Sequence, residues 1–155
     1  MDLQEYSADP ARTDLSCRIG GLKVLIPAEA VAGMDNSLLL TPLPGAPPYI
    51  LGLCYTDEGV IAAIDLKPIL DLHTVSPAGG GQYVRLSLPH GSQVALLVDD
   101  VDDAPPLVRP GFEHIAGDNP FGKVMSDRAD GNGVPYFRLS PFRLMGWLLD
   151  RQIRV

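Results

Sequence analysis

A chain of 155 residues, 46% hydrophobic and 20% charged, is long enough to bury roughly two-thirds of its unfolded surface without disulfide or metal staples. Its formal net charge of −7 repels phosphate backbones and anionic lipid, which argues against nucleic acid and membrane surfaces as partners. The 16 glycines and 15 prolines favour many short strands and turns over long helices.

The opening stretch MDLQEYSADPARTD has neither the basic region nor the apolar core of a secretory signal, and no stretch is long enough to span a bilayer. A cytoplasmic protein is expected, with residues 1–13 as a flexible tail, 14–150 as one domain and 151–155 as a short C-terminal tail. From Leu15 to Pro27, two apolar runs flank Gly20-Gly21, a hairpin signal because both glycines adopt positive φ at little cost. AEAVAGMD then reads as a single helical turn or bend ending in Gly33. The proline-rich Leu40–Ile50 is an extended crossing segment with a turn at Gly45.

Ile50–Cys54 and Val60–Ile64 form the next strand pair, around the polar break Tyr55-Thr56-Asp57-Glu58-Gly59. LKPILDLH is a short helix with Leu66, Ile69 and Leu70 on one face. Ser76–Gln82 is a glycine-rich loop without the lysine and following helix of a phosphate site. YVRLSL and QVALLV pair across a His90-Gly91 turn, the second strand running on into Asp99, Asp100, Asp102 and Asp103. Residues 104–122 are irregular. Two strands follow across the Asn132-Gly133 turn, a type I′ signature. In the closing helix Ser140 is the N-cap and Pro141 the first helical residue, and Phe142, Met145, Leu149, Leu144 and Leu148 line the apolar face. About ten short strands without a βαβ rhythm make an all-β barrel or sandwich with a terminal helix.

Candidate chemistry is sparse. In an extended strand the run Asp99–Asp103 sends its carboxylates to alternate faces, so it reads as a solvated strand end rather than a cation site. Asp57 and Glu58 are neighbours on a turn and do not flank a bond as catalytic carboxylates must. His73, His90 and His114 lack metal-ligand or triad spacing. Cys17 and Cys54 read as buried free thiols. No cofactor, metal or catalytic group is expected. An interaction module is favoured, with a small-ligand binder or an enzyme whose site is assembled from loops as the alternatives.

The order of segments resembles the CheW-like family, the coupling scaffolds of bacterial chemotaxis. The likeness rests on LKVLIPAEAVAGM, LPGAPPYILGL, VIAAIDLKPIL, VALLVDDVDDAPPL and VPYFRLSPFRLMGWL, in that order from Leu15 to Leu149. It implies two SH3-like five-stranded β-barrel subdomains with short helices and a C-terminal helix. It also implies a non-catalytic adaptor between a chemoreceptor cytoplasmic domain and the regulatory domain of a CheA-type histidine kinase, or a divergent replacement for that kinase. Val31, Met34, Gly52 and Val101 are then candidate groove or contact residues, and Tyr55, Thr56 and Asp57 a partner-reading turn. Family members usually carry Asn-Leu-Arg-Gly at that turn. Here the Arg position falls on Asp57, the opposite charge, which implies an altered choice of partner.

Overall fold

A computed structural model of the protein describes residues 14–73, 81–102, 111–131 and 133–150. The two expected tails, the glycines at 79 and 80, Asp103 and Asn132 lie outside the described residues.

β1 (Leu15–Ile19) and β2 (Leu22–Ile26) form the expected hairpin, with positive φ at both Gly20 and Gly21. A 3-10 turn, Ala28–Ala30, follows. The helical turn expected to last to Gly33 stops there, because Val31 is already extended and opens β3 (Val31–Asp35). β3 pairs with residues 83–86 of a later strand through a bulge between Val31 and Gly33, and the Arg85 guanidinium crosses the space where a side chain at Gly33 would lie. β4 (Ile50–Thr56) and β5 (Gly59–Ile64) form the second hairpin. Asp65 caps α1 (Leu66–Ile69), its carboxylate accepting from the Lys67 N–H at 3.0 Å.

β6 (Gln82–Ser87) and β7 (Gln93–Val98) pair antiparallel across a 3-10 turn at Pro89–Gly91. The continuous strand expected through the acidic run breaks at Asp99. Val98 ends β7, and β8 (Asp100–Val101) crosses to the other sheet to pair with β1. β9 (Glu113–His114), a 3-10 turn at Pro120–Lys123, β10 (Met125–Gly131), β11 (Val134–Leu139) and α2 (Pro141–Asp150) complete the described chain.

The strands build a six-stranded sheet, β8-β1-β2-β11-β10-β9, and a five-stranded sheet, β3-β6-β7-β5-β4. Each contains one parallel pair, β2–β11 and β5–β7, between strands distant in sequence. One large core joins the sheets, with Cys17, Ile19, Val24, Ile26, Val84, Leu86, Met125 and Leu139 among its buried residues. A smaller core of Cys54, Ile61, Ala63, Tyr83, Ala95 and Leu97 lies on the other face of the five-stranded sheet, covered by Leu38, Leu40 and Leu51. β7 serves both: Val94, Leu96 and Val98 face the shared core, Ala95 and Leu97 the smaller one. That double burial accounts for its uninterrupted apolar sequence.

The Ser140 hydroxyl caps α2 as expected, accepting from the Arg143 N–H at 3.1 Å. The apolar face is narrower than expected. Leu144 is fully buried, and Met145, Trp147 and Leu148 pack partly against the core, but Phe142 is 70% and Leu149 57% exposed. Both sit more than a third of a turn from Leu144, beyond the stripe the core covers.

Candidate functional site

Two residues, Asp57 and Glu58, connect β4 to β5, with Thr56 paired to Gly59 across them. Gly59 takes φ +118°, open to glycine at little cost, and nothing would crowd a side chain there. The Thr56 hydroxyl ties the tip together, donating to the Gly59 carbonyl at 2.9 Å and accepting from the Glu58 N–H at 3.2 Å. Asp57 is exposed. The Glu58 carboxylate accepts from the side-chain amide of Gln93, at the start of β7.

Next to the turn, Tyr55 stands directly opposite Val60. Tyr55 is 80% and Val60 52% exposed, so an aromatic and a β-branched side chain face solvent as a cross-strand pair. β5 pairs with β7 only from Ala62 onward, opposite Val94. Below that point lies an open hollow of about 340 Å³, lined by Glu58, Val60, Ile61, Ala62, Gly91, Ser92 and Gln93.

Tyr55, Thr56 and Asp57 therefore share one exposed tip, as expected of a turn. The other four candidates are scattered. Met34 is exposed and Val31 half-buried on β3, which stands at the opposite end of the sheet order from β4. Val101 is half-buried on β8, in the six-stranded sheet, and packs on the shared core. Gly52 is buried, in a bulge beneath the crossing segment. Thr41 and Leu53 exchange backbone hydrogen bonds of 2.8 and 2.9 Å there, and a Cβ on Gly52 would come within 2.7 Å of the Thr41 carbonyl oxygen. Its part is to let two backbones meet.

Val60, Gln93 and Ser92 were not singled out from sequence. The break expected over Tyr55 to Gly59 shortens to Asp57-Glu58, because Tyr55 and Thr56 extend β4 and Gly59 begins β5, and this brings Val60 opposite Tyr55. Gln93 and Ser92 reach the tip only through the parallel β5–β7 pairing, which no local signal marks.

The acidic run is not the solvated strand end expected of it. Asp99 accepts from the Gly20 N–H at 2.8 Å, and Asp100 pairs with Arg18 at 2.9 Å. Asp102 accepts from the Ser16 hydroxyl at 2.6 Å and pairs with Lys23 at 3.2 Å. These bonds stitch β8 to the first hairpin. Burial disfavours the Asp102 carboxylate, but the Ser16 and Lys23 hydrogen bonds and the Lys23 charge outweigh it and hold its pKa below the ordinary value. Asp99 also faces the buried Lys67 ammonium at 3.7 Å, with Asp65 on that ammonium at 3.5 Å.

Cys17 and Cys54 are buried free thiols, as expected. Burial pushes Cys17 up to about 12, with Asp102 and Asp99 adding to the shift and Lys23 opposing it. Among the described residues, no group of three or more His, Cys, Asp or Glu side chains is placed to hold a metal ion, and no helix is long and apolar enough to cross a membrane.

The family model for the CheW-like domain matches residues 15–131. The chain belongs to the CheW-like domain family. Its fold is similar to that of the scaffolding protein TtCheW from Thermoanaerobacter tengcongensis, with a TM-score of 0.70 over 83% of this chain and 88% of that one. The two are 15% identical, so this likeness speaks for the fold. No curated protein sequence matches the chain. The all-β CheW-like fold expected from the sequence holds, and the expected pair of five-stranded SH3-like barrels is consistent with the two sheets, one of which carries a sixth strand. The CheW-like family is one of non-catalytic scaffolds in chemotaxis-type signalling.

Proposed function

We propose that this protein is a non-catalytic coupling scaffold, cytoplasmic, with residues 14–150 acting as one domain. It joins the cytoplasmic domain of a chemoreceptor to the regulatory domain of a CheA-type histidine kinase, and its choice of partner at the β4–β5 tip differs from the family's habit. One observation supports this reading above the others: a CheW-like fold that presents a hydrogen-bonded, exposed tip with a carboxylate, Asp57, where the family resemblance leads one to expect an Arg. A carboxylate there attracts a cationic surface and repels the acidic one that an Arg would pair with. Met34 and the half-buried Val31 and Val101 serve as the apolar contacts of the receptor side.

The test is a titration of the purified protein against a receptor cytoplasmic tip and, separately, against a CheA-type regulatory domain from the same organism. Binding to both at roughly micromolar strength or tighter is expected. Binding to neither sinks the coupling role. Asp57→Arg is expected to weaken the native kinase contact and to strengthen that with a regulatory domain from a system whose scaffold carries the usual Arg. An unchanged preference removes the altered-partner part and leaves the scaffold.

A further inference from the structure

We propose that the hollow beside the β4–β5 tip seats an arginine side chain from the kinase-side partner, with Glu58 as its counter-charge and the Tyr55–Val60 pair as its apolar shoulder. The identity of that partner rests on the coupling role; the chemistry of the seat does not.

Glu58 lines the hollow and Asp57 does not, although both stand on the same turn. The Glu58 carboxylate is fixed in place, since it accepts from the Gln93 amide while the Glu58 N–H is held by Thr56. A positioned carboxylate loses less on pairing than one that must first be ordered. Gln93, on the same wall, spends its amide N–H on Glu58 and keeps its Oε1 buried without a hydrogen-bond partner. An atom buried so completely cannot meet an incoming side chain, so the acceptors the wall offers are the carboxylate oxygens of the exposed Glu58.

A guanidinium offers five donors in a plane and spans neighbouring acceptors; an ammonium meets them as a single point charge. The other lining residues, Val60, Ile61, Ala62, Gly91 and Ser92, carry no charge that would oppose a cation. Tyr55, across from Val60, extends the apolar surface out of the hollow and presents a ring to the partner's backbone or to the cation itself. The chain's net charge of −7 works in the same direction at longer range.

The seat is tested first without any partner protein. The full chain is titrated with acetyl-arginine-amide, and with its neutral isostere acetyl-citrulline-amide, at roughly ten-millimolar concentration, where single side-chain contacts become readable by NMR. The arginine compound is expected to shift the Gln93 side-chain amide and the Val60 methyl resonances, the citrulline compound is not, and Glu58→Gln is expected to abolish the response. Equal shifts from both compounds, or none from arginine, overturn the proposal.

The kinase regulatory domain is then titrated. Glu58→Gln is expected to lower affinity about tenfold, the loss of a positioned charge pair at an interface, and Asp57→Asn about twofold, the loss of an exposed charge. Kinase binding indifferent to Glu58→Gln also overturns the proposal. Arginine seating with no kinase binding discards the coupling role and keeps the seat.

Discussion

Gly52, Lys67 and Asp102 each carry a cost that their side chains alone do not announce. At Gly52 the φ of +152° and the nearby Thr41 carbonyl leave no room for a methyl group. Gly52→Ala is expected to destabilise the protein by about 2 kcal/mol, measured by urea unfolding, through strain at the bulge. Lys67 is buried between Asp65 and Asp99 at distances longer than hydrogen bonds, so the ion cluster is weakly bonded yet hard to dismantle. Lys67→Met leaves Asp65 and Asp99 with their backbone hydrogen bonds but without a counter-charge, and is expected to cost about 3 kcal/mol, with Asp99→Asn in the same chain recovering part of it. Full additivity of the two changes would disprove the coupling.

Asp102 has a folded pKa below its unfolded value of about 3.8. Its contribution is therefore present at neutral pH and is lost as the pH falls below about 4, through the depressed folded value. Asp102→Asn should flatten the acid limb of the stability curve in that window; an unaltered limb would show that the Ser16 and Lys23 contacts contribute nothing. Both cysteines have pKa values raised by burial, so a thiol reagent at pH 8 should modify neither until the chain unfolds.

At the scale of elements, α2 offers the sharpest contrast. Leu144 and Phe142 are both apolar and lie two residues apart, but one is fully buried and the other 70% exposed. Leu144→Ala is expected to cost about 3 kcal/mol, and Phe142→Ser less than about 0.5 kcal/mol, by the same unfolding assay. Comparable losses would mean that the outer stripe of the helix is covered. The β4–β5 tip behaves differently, because order there is local. Thr56→Val removes both hydroxyl bonds and should quicken hydrogen exchange at Glu58 while changing global stability by under about 1 kcal/mol.

Over the whole molecule, the five-stranded sheet is the common wall of two cores, and β7 contributes side chains to each. Loss of packing on either side disturbs the same strand. Leu96→Ala in the shared core and Leu97→Ala in the smaller one should each lower a single midpoint, seen together by far-UV circular dichroism and by Trp147 fluorescence. Two separate midpoints would show that the cores unfold independently. The parallel pairs β2–β11 and β5–β7 add to this coupling, since each closes a long stretch of chain.

The hairpins were readable in the residues because their causes are local: paired glycines at 20 and 21, a polar break over residues 55–59 that the structure tightens to Asp57-Glu58, and apolar runs on either side. So were the Ser140 cap, the buried thiols, the exposure of Tyr55 and Asp57, and the family resemblance carried by the order of segments. The tertiary structure alone decided that Asp99 to Asp102 would stitch β8 to the first hairpin, since partners some 80 positions away leave no periodic trace nearby. It also decided which apolar residues of α2 would face the core, because amphipathic spacing defines an arc without saying how much of it a neighbour covers. The hollow beside Glu58 belongs to the same class. It exists because β5 runs ahead of the strand it pairs with, and pairing across the sheet is set by the packing of the whole chain.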